Sequence, residues 1–335
     1  VLYSPGLTPR WVRRVEQEQV CRKGRVMVTE KRPLNVSSYI YGAGDVGLPG
    51  YDWENDFELV RLATEAGVWI HSSPNYGGQD NAGGTIRFLR ECFDKLGARV
   101  PMILKLYIKG YEGWVEGTTS DPRLNVEDMC SILGMDRVDI GQIWASDKLL
   151  TDLPERGPVY QVLNELRDEG AVGHYFYQLE PSSKTSEIEL LLESGVVDGF
   201  MYYHNVIERD VSNDVYDLLA ARGTPQIALR SFGHTIVDYA TWDSATALTH
   251  PNASPETIER VDALRQPFEE SGCGDWVEFC MGFAASLPTV LGTIGSTTKP
   301  EHLRANLAAD QAAEPLEQKV IDMIEALQRE WYATE

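Results

Sequence analysis

Six glycines divide the middle of this 335-residue chain into units of similar length. Gly67, Gly97, Gly134, Gly170, Gly195 and Gly223 each end an amphipathic segment and precede a short apolar, β-prone run, at a mean period of about 31 residues. The runs are VWI at 68–70, VPMILKL at 100–106, VDIGQIW at 138–144, VGHYFY at 172–177, VDGFMYY at 197–203 and PQIALRSF at 225–232. The segments ahead of them have helical spacing. Leu59, Leu62, Ala63 and Ala66 fall at i, i+3, i+4 and i+7, as do Leu89, Cys92, Phe93 and Leu96, and again Val159, Val162, Leu163 and Leu166. Pro154 suits a first helical turn, and Asn125 with Asp128 has the look of a capping box. A terminal Gly adopts the left-handed conformation that ends a helix without steric cost.

Strand–helix repeats of this length require crossover connections, and hence a parallel sheet with helices outside. A first strand at Val36–Gly44 and an eighth at Thr289–Ile294 bring the count to eight. Eight units of this kind take about 250 residues as a single (β/α)8 TIM barrel. The expected organisation is an N-terminal extension over 1–35 and a barrel domain over 36–335. Within the barrel domain, an insert comes after strand seven near 232–253 and a terminal helix lies near 315–330. A doubly wound open sheet needs a phosphate-binding GxGxxG after an early strand, and GAGDVG at 42–47 matches it only loosely.

Charge narrows the function. Thirty Lys and Arg against fifty-one Asp and Glu give a net charge of −21, which repels nucleic acid and anionic membrane surfaces. No apolar run is long enough for a membrane span. The five cysteines form no CxxC pair, so a reducing, cytoplasmic setting is expected, with neither a disulfide scaffold nor a structural zinc. The expected partner is a small-molecule substrate; the oligomeric state stays open, a homo-oligomer included.

In a barrel of this class the site lies at the C-terminal strand ends. Those ends carry Gly42, Gly44 and Asp45; His71, with Tyr76 in the next loop; Lys105; Trp144; Gln178; His204 and Asn205; Arg230 and Ser231; and Ser296 to Lys299. His71 and His204 would be half of a metal set that no carboxylate completes, so no metal is expected. Lys105 interrupts the otherwise apolar MILKLYI, where a Lys is costly unless paired or functional. Its functional reading is to lower the pKa of a nearby acid, with Tyr76 the natural candidate. Trp53 and Trp114, placed in loops at the mouth, are candidate pocket walls. Arg230 would meet either a substrate or cofactor anion or one of the many carboxylates.

These same positions resemble the aldo-keto reductase superfamily. The resemblance rests on GVWIHSSPNYG (67–77), MILKL (102–106), RVDIGQIWASD (137–147), IALRSFG (227–233) and GTIGSTTKPEHLRANL (292–307), in unbroken order across roughly 36–308. It implies that a Tyr donates a proton to a carbonyl while NAD(P)H delivers a hydride, with a Lys–Asp pair and a His tuning that Tyr. Tyr76 matches the Tyr and Lys105 the Lys, whereas His71 stands at the Asp position and Trp144 at the His position. Lys105 thereby loses its built-in counter-ion, so burial should lower its pKa, and its charge should hold His71 neutral.

For the cofactor, the resemblance puts Gln178 and Met201 at positions that hold the nicotinamide carboxamide, of which Gln178 alone is suited; Gly42, Gly44, Arg230 and Ser231 at the strand ends are further cofactor candidates. The resemblance adds the anion-binding run Ser296, Thr297, Thr298 and Lys299, then His302 at the family's Arg position and the retained Asn306. The favoured reading is an NADP(H)-dependent oxidoreductase with a divergent site, acting on a carbonyl or alcohol of a small metabolite or sugar. Tyr76 is its proton donor and Lys105 the tuner. Two alternatives stand beside it. One is a non-redox barrel enzyme catalysing elimination, dehydration or isomerisation through Tyr76, His71, Lys105 and His204. The other is a catalytically silent binding or regulatory subunit.

Overall fold

The six repeat glycines occupy one conformation. Their φ angles are 69° at Gly67, 63° at Gly97, 60° at Gly134, 74° at Gly170, 68° at Gly195 and 59° at Gly223. Any side chain at such an angle is strained, so each glycine stops its helix and turns the chain into the next strand. A computed structural model describes residues 34–76, 83–107, 121–144, 147–233 and 254–333. Residues 1–33 of the expected N-terminal extension, most of the insert near 232–253, Cys21, Trp11, Trp114 and Trp242 lie outside those residues.

The eight strands are β1 (Tyr39–Gly42), β2 (Trp69–Ser72), β3 (Met102–Leu106), β4 (Val138–Trp144), β5 (Val172–Gln178), β6 (Gly199–Tyr203), β7 (Gln226–Leu229) and β8 (Val290–Gly295). All pair in parallel and in sequence order, and β8 closes on β1, giving a (β/α)8 barrel. The helices are α1 (Trp53–Ala66), α2 (Gly84–Leu96), α3 (Pro122–Leu133), α4 (Asp147–Asp152), α5 (Pro158–Asp168), α6 (Thr185–Ser194), α7 (Asn213–Arg222), α8 (Pro255–Ala263), α9 (Arg265–Ser271), α10 (Trp276–Ser286), α11 (Pro300–Ala312) and α12 (Gln318–Trp331). Val36–Glu335 forms one compact unit. Among the described residues no helix is long and apolar enough to cross a membrane.

Two helix starts differ from expectation. The chain enters α3 at Pro122, with Asp121 Oδ1 capping the backbone N–H of Arg123 at 2.8 Å. Asn125 is instead buried in that helix and accepts from the Tyr107 backbone N–H at 3.1 Å. Helix α5 starts at Pro158 rather than Pro154, because the Asp152 carboxylate receives the Tyr160 N–H at 3.0 Å and fixes the entry there.

Strand alternation separates two cores. Ile40, Ile103, Ile140, Phe176 and Ile227 are fully buried and face the barrel axis. The intervening residues face the helices, where Tyr175 donates its hydroxyl hydrogen to the Leu163 carbonyl of α5 at 3.0 Å. Cys92 is buried on α2 within that outer layer, and Cys130 of α3 is half-buried beside it. Trp53 opens α1 instead of walling the mouth: it stacks on Phe57 at 4.7 Å, with the Lys95 ammonium 4.0 Å from its ring centroid.

Candidate active site

At the C-terminal strand ends the barrel opens into a cavity of about 450 Å3, within the range of small-ligand pockets. His71 comes from β2 and Tyr76 from the loop after it. Lys105 comes from β3, Gln142 and Trp144 from β4, Gln178 from β5 and Tyr203 from β6. Arg230 to Gly233 come after β7, and Ile294 to Ser296 close the far side. Register aligns the polar members, with Lys105 opposite Gln142 and Trp144 opposite Gln178.

Lys105 lies between two aromatic rings, its Nζ 5.1 Å from the Tyr76 centroid and 5.0 Å from that of Trp144. Burial disfavours its charge and lowers its pKa to about 8, and no carboxylate of the described residues counters the shift. His71 Nε2 sits 2.6 Å from Gln142 Oε1, and the Gln142 amide donates to Gln178 Oε1 at 2.5 Å. Burial, and then the Lys105 charge, push His71 down to about 3, so it is neutral at pH 7. A neutral imidazole facing a carbonyl oxygen through Nε2 carries its proton on that nitrogen. The His71–Gln142–Gln178 run is therefore a fixed polar chain across three strands. It is not a charged dyad.

Tyr76 is kept in its phenol form, since burial and the Asp45 carboxylate both raise its pKa. Gly44 packs against that ring, where a Cβ would make ordinary contact at 3.6 Å. Gly42 is more demanding, because a Cβ there would fall 2.3 Å from Ser296 Oγ. Trp144 directs its indole N–H to Glu180 Oε1 at 3.1 Å, so it acts as a tethered wall. Arg230 adopts φ 59°, a strained angle for a residue with a Cβ. Its guanidinium stacks 3.7 Å from the Tyr203 centroid and pairs with Glu208 at 3.3 Å. Arg230 thus meets a carboxylate and the cavity together.

The β8–α11 connection offers anion-binding chemistry. Ser296, Thr298 and Lys299 are exposed, and Lys299 precedes α11 with no side chain capping that helix. Tyr41 Oη donates to the Thr297 carbonyl at 3.2 Å and Asn55 Nδ2 to the Thr298 carbonyl at 2.9 Å, bracing the loop from below. Hydroxyls, a lysine and free helix N–H groups fit a phosphate group.

Other expected residues lie elsewhere. Met201 is fully buried one alternation below Tyr203 and lines no part of the cavity. Ser231, by contrast, does line the cavity, with its hydroxyl hydrogen-bonded to Thr293 Oγ1 at 2.8 Å between β7 and β8. Asn306 is buried with Nδ2 3.5 Å from Tyr39 Oη, while His302 is exposed on α11. His204 is buried behind β6 against Tyr202, Tyr216 and Phe283, away from the cavity. It therefore leaves the acid–base set that the non-redox alternative required. Gln142 and Tyr203 escaped the sequence reading. Gln142 is two residues before Trp144 on one strand, so alternation places both on the inner face.

The aldo/keto reductase family model matches residues 40–329. The chain belongs to that family. No curated protein matches it at the sequence level. Among solved structures, it is similar to an aldo-keto reductase from Bacillus halodurans in holo form, with 18% identity and TM-score 0.65 over 88% of this chain and 93% of that one. A glycerol dehydrogenase from Gluconobacter oxydans is similar at 15% identity and TM-score 0.67, over 91% and 95%. An aldo/keto reductase from Klebsiella pneumoniae, in complex with NADP and acetate, is similar at 15% identity and TM-score 0.61, over 88% and 92%. At these identities the likeness is one of fold.

Proposed function

We propose that this chain is an NADP(H)-dependent oxidoreductase that interconverts a carbonyl and an alcohol on a small molecule. The observation that carries the reading is the shared cavity of Tyr76 and Lys105, with the ammonium 5.1 Å from the phenol ring centroid. The donor set fits the cofactor: Ser296, Thr297, Thr298 and Lys299 suit phosphate, Gln178 suits a carboxamide, and Gly42 keeps the β1 end free of side chain. When bound, the cofactor supplies or accepts the hydride.

The protein's own part is the proton. Tyr76 Oη holds a proton that burial keeps on the phenol, ready for a developing alkoxide. Phenolate formation is the costly half of that transfer, and the Lys105 charge beside the ring offsets it. His71, neutral and tied to Gln142, holds the adjoining wall without competing for the proton. Because the tuning requires protonated Lys105, turnover in the reductive direction should decline as pH rises through about 8.

Tyr76→Phe tests the assignment. We expect kcat to fall about 10²–10⁴-fold while the NADPH dissociation constant moves by no more than about threefold. Unchanged turnover would remove Tyr76 from the chemistry. A wild-type protein that leaves NADPH unbound at millimolar concentration would remove the whole reading.

A further inference from the structure

Among the described residues Lys105 is a cation without an anion. Among these it forms no ion pair or hydrogen bond, and only the two aromatic rings attend it. The side chains packed nearest to it are uncharged. From β2 comes the neutral His71, and from the next loop the un-ionised Tyr76. From β4 come Gln142 and Trp144, from β5 Gln178, and at the end of that strand Glu180 is bonded to the Trp144 indole. Arg230, the other cation at the cavity, has Glu208. Asp45 lines the same cavity and raises the Tyr76 pKa, but it is exposed after β1 and forms no ion pair with Lys105.

A half-buried ammonium facing a cavity is stabilised by any anion that enters, and a charge-assisted hydrogen bond there is stronger than one between neutral groups. We propose that the substrate brings this anion: a carbonyl compound bearing a carboxylate one or two carbons from the reacting carbon, with the carboxylate seated on Lys105 Nζ. The inference rests on the carbonyl-reducing reading of the same cavity. Nζ lies close enough to the Tyr76 ring for one short molecule to place its carboxylate on Lys105 and its carbonyl oxygen toward Tyr76. Longer spacers would separate the two contacts. A cavity of about 450 Å3 holds an acid of that size.

The test uses neutral twins. Pyruvate and acetoacetate are compared with pyruvamide and acetoacetamide, each titrated calorimetrically into the NADPH-saturated protein and assayed for NADPH consumption. The acids should bind about tenfold or more tightly than their amides. That preference should disappear in Lys105→Met, persist in Lys105→Arg, and fade as pH rises through about 8. Melting temperatures of both variants establish that they are folded. Equal binding of acid and amide, binding of neither, or a preference that survives Lys105→Met overturns the proposal. If the amides are reduced as fast as the acids, the proposal fails and the oxidoreductase reading stands. If the acids bind preferentially through Lys105 but NADPH neither binds nor is consumed, the carboxylate seat stands and the redox reading fails.

Discussion

Two histidine–cation pairs of nearly the same chemistry sit in this barrel, and one of them lines the cavity at the mouth. His71 lies near Lys105 in the mouth, and His204 near Arg209 behind β6. Burial and a neighbouring cation hold each histidine at about 3. Arg209 is fully buried, donates to Asn213, stacks 4.5 Å from the Tyr216 ring centroid, and leaves Nε and Nη1 without partners. The ring nitrogens of His204 are likewise unpartnered, and Tyr202 stacks on it at 5.3 Å. A strongly shifted titration therefore marks burial in both places. Access marks chemistry in only one.

The largest contrast should be kinetic. Lys105→Met is expected to lower kcat/KM about 10²–10³-fold, and Arg209→Met by no more than about threefold. Steady-state assays of the two variants with one carbonyl substrate make the comparison, and an equal loss in both would erase the distinction.

Acid stability should show the opposite pattern, with the two sites alike. Each histidine has a folded pKa of about 3, below the 6.5 expected of the unfolded chain, so between those values the unfolded chain binds more protons. The stabilisation is fully present above pH 6.5 and is lost as pH falls toward 3, by about 1.4 kcal/mol per pH unit for each histidine. His71→Gln and His204→Phe should each remove one such share from the slope, read by urea unfolding at two pH values. Only His71→Gln should also change turnover. A slope that ignores His204→Phe would mean that this side chain titrates normally.

The smallest effect is expected at Arg209. Its desolvated charge has no carboxylate bonded to it among the described residues, so Arg209→Met should leave the unfolding free energy unchanged or raise it by about 1 kcal/mol. A drop of about 3 kcal/mol or more would reveal a counter-ion that the present partners do not include.

The barrel was legible because its signals are local and repeated: a positive-φ glycine after each of the six repeat helices ends that helix and leaves the next apolar run little choice but a strand. The mouth was legible to the extent that strand ends define it, and that rule alone groups His71, Tyr76, Lys105, Trp144, Gln178, Arg230 and Ser296. Where the reading failed, alternation, depth or a helix cap decided. His204 sits at a strand end, yet alternation puts it on the outward face with Tyr202, so its ring lies behind β6. Met201 and Tyr203 share one strand face, and only the outer of the two reaches the cavity. Gln142 lies mid-strand, where an amide is easily passed over, and it connects His71 to Gln178. Trp53 has the composition of a pocket wall but begins a helix, because Asp52 caps the N–H groups just after it.

Following deuterium from C4 of the reduced nicotinamide is the most direct measurement, with NADPH labelled in turn on each face. The expected product is an alcohol one mass unit heavier when one labelled face is used, formed about 10²–10⁴-fold more slowly by Tyr76→Phe. Product without deuterium from either face, or an undiminished rate in Tyr76→Phe, would contradict carbonyl reduction at the Tyr76–Lys105 cavity.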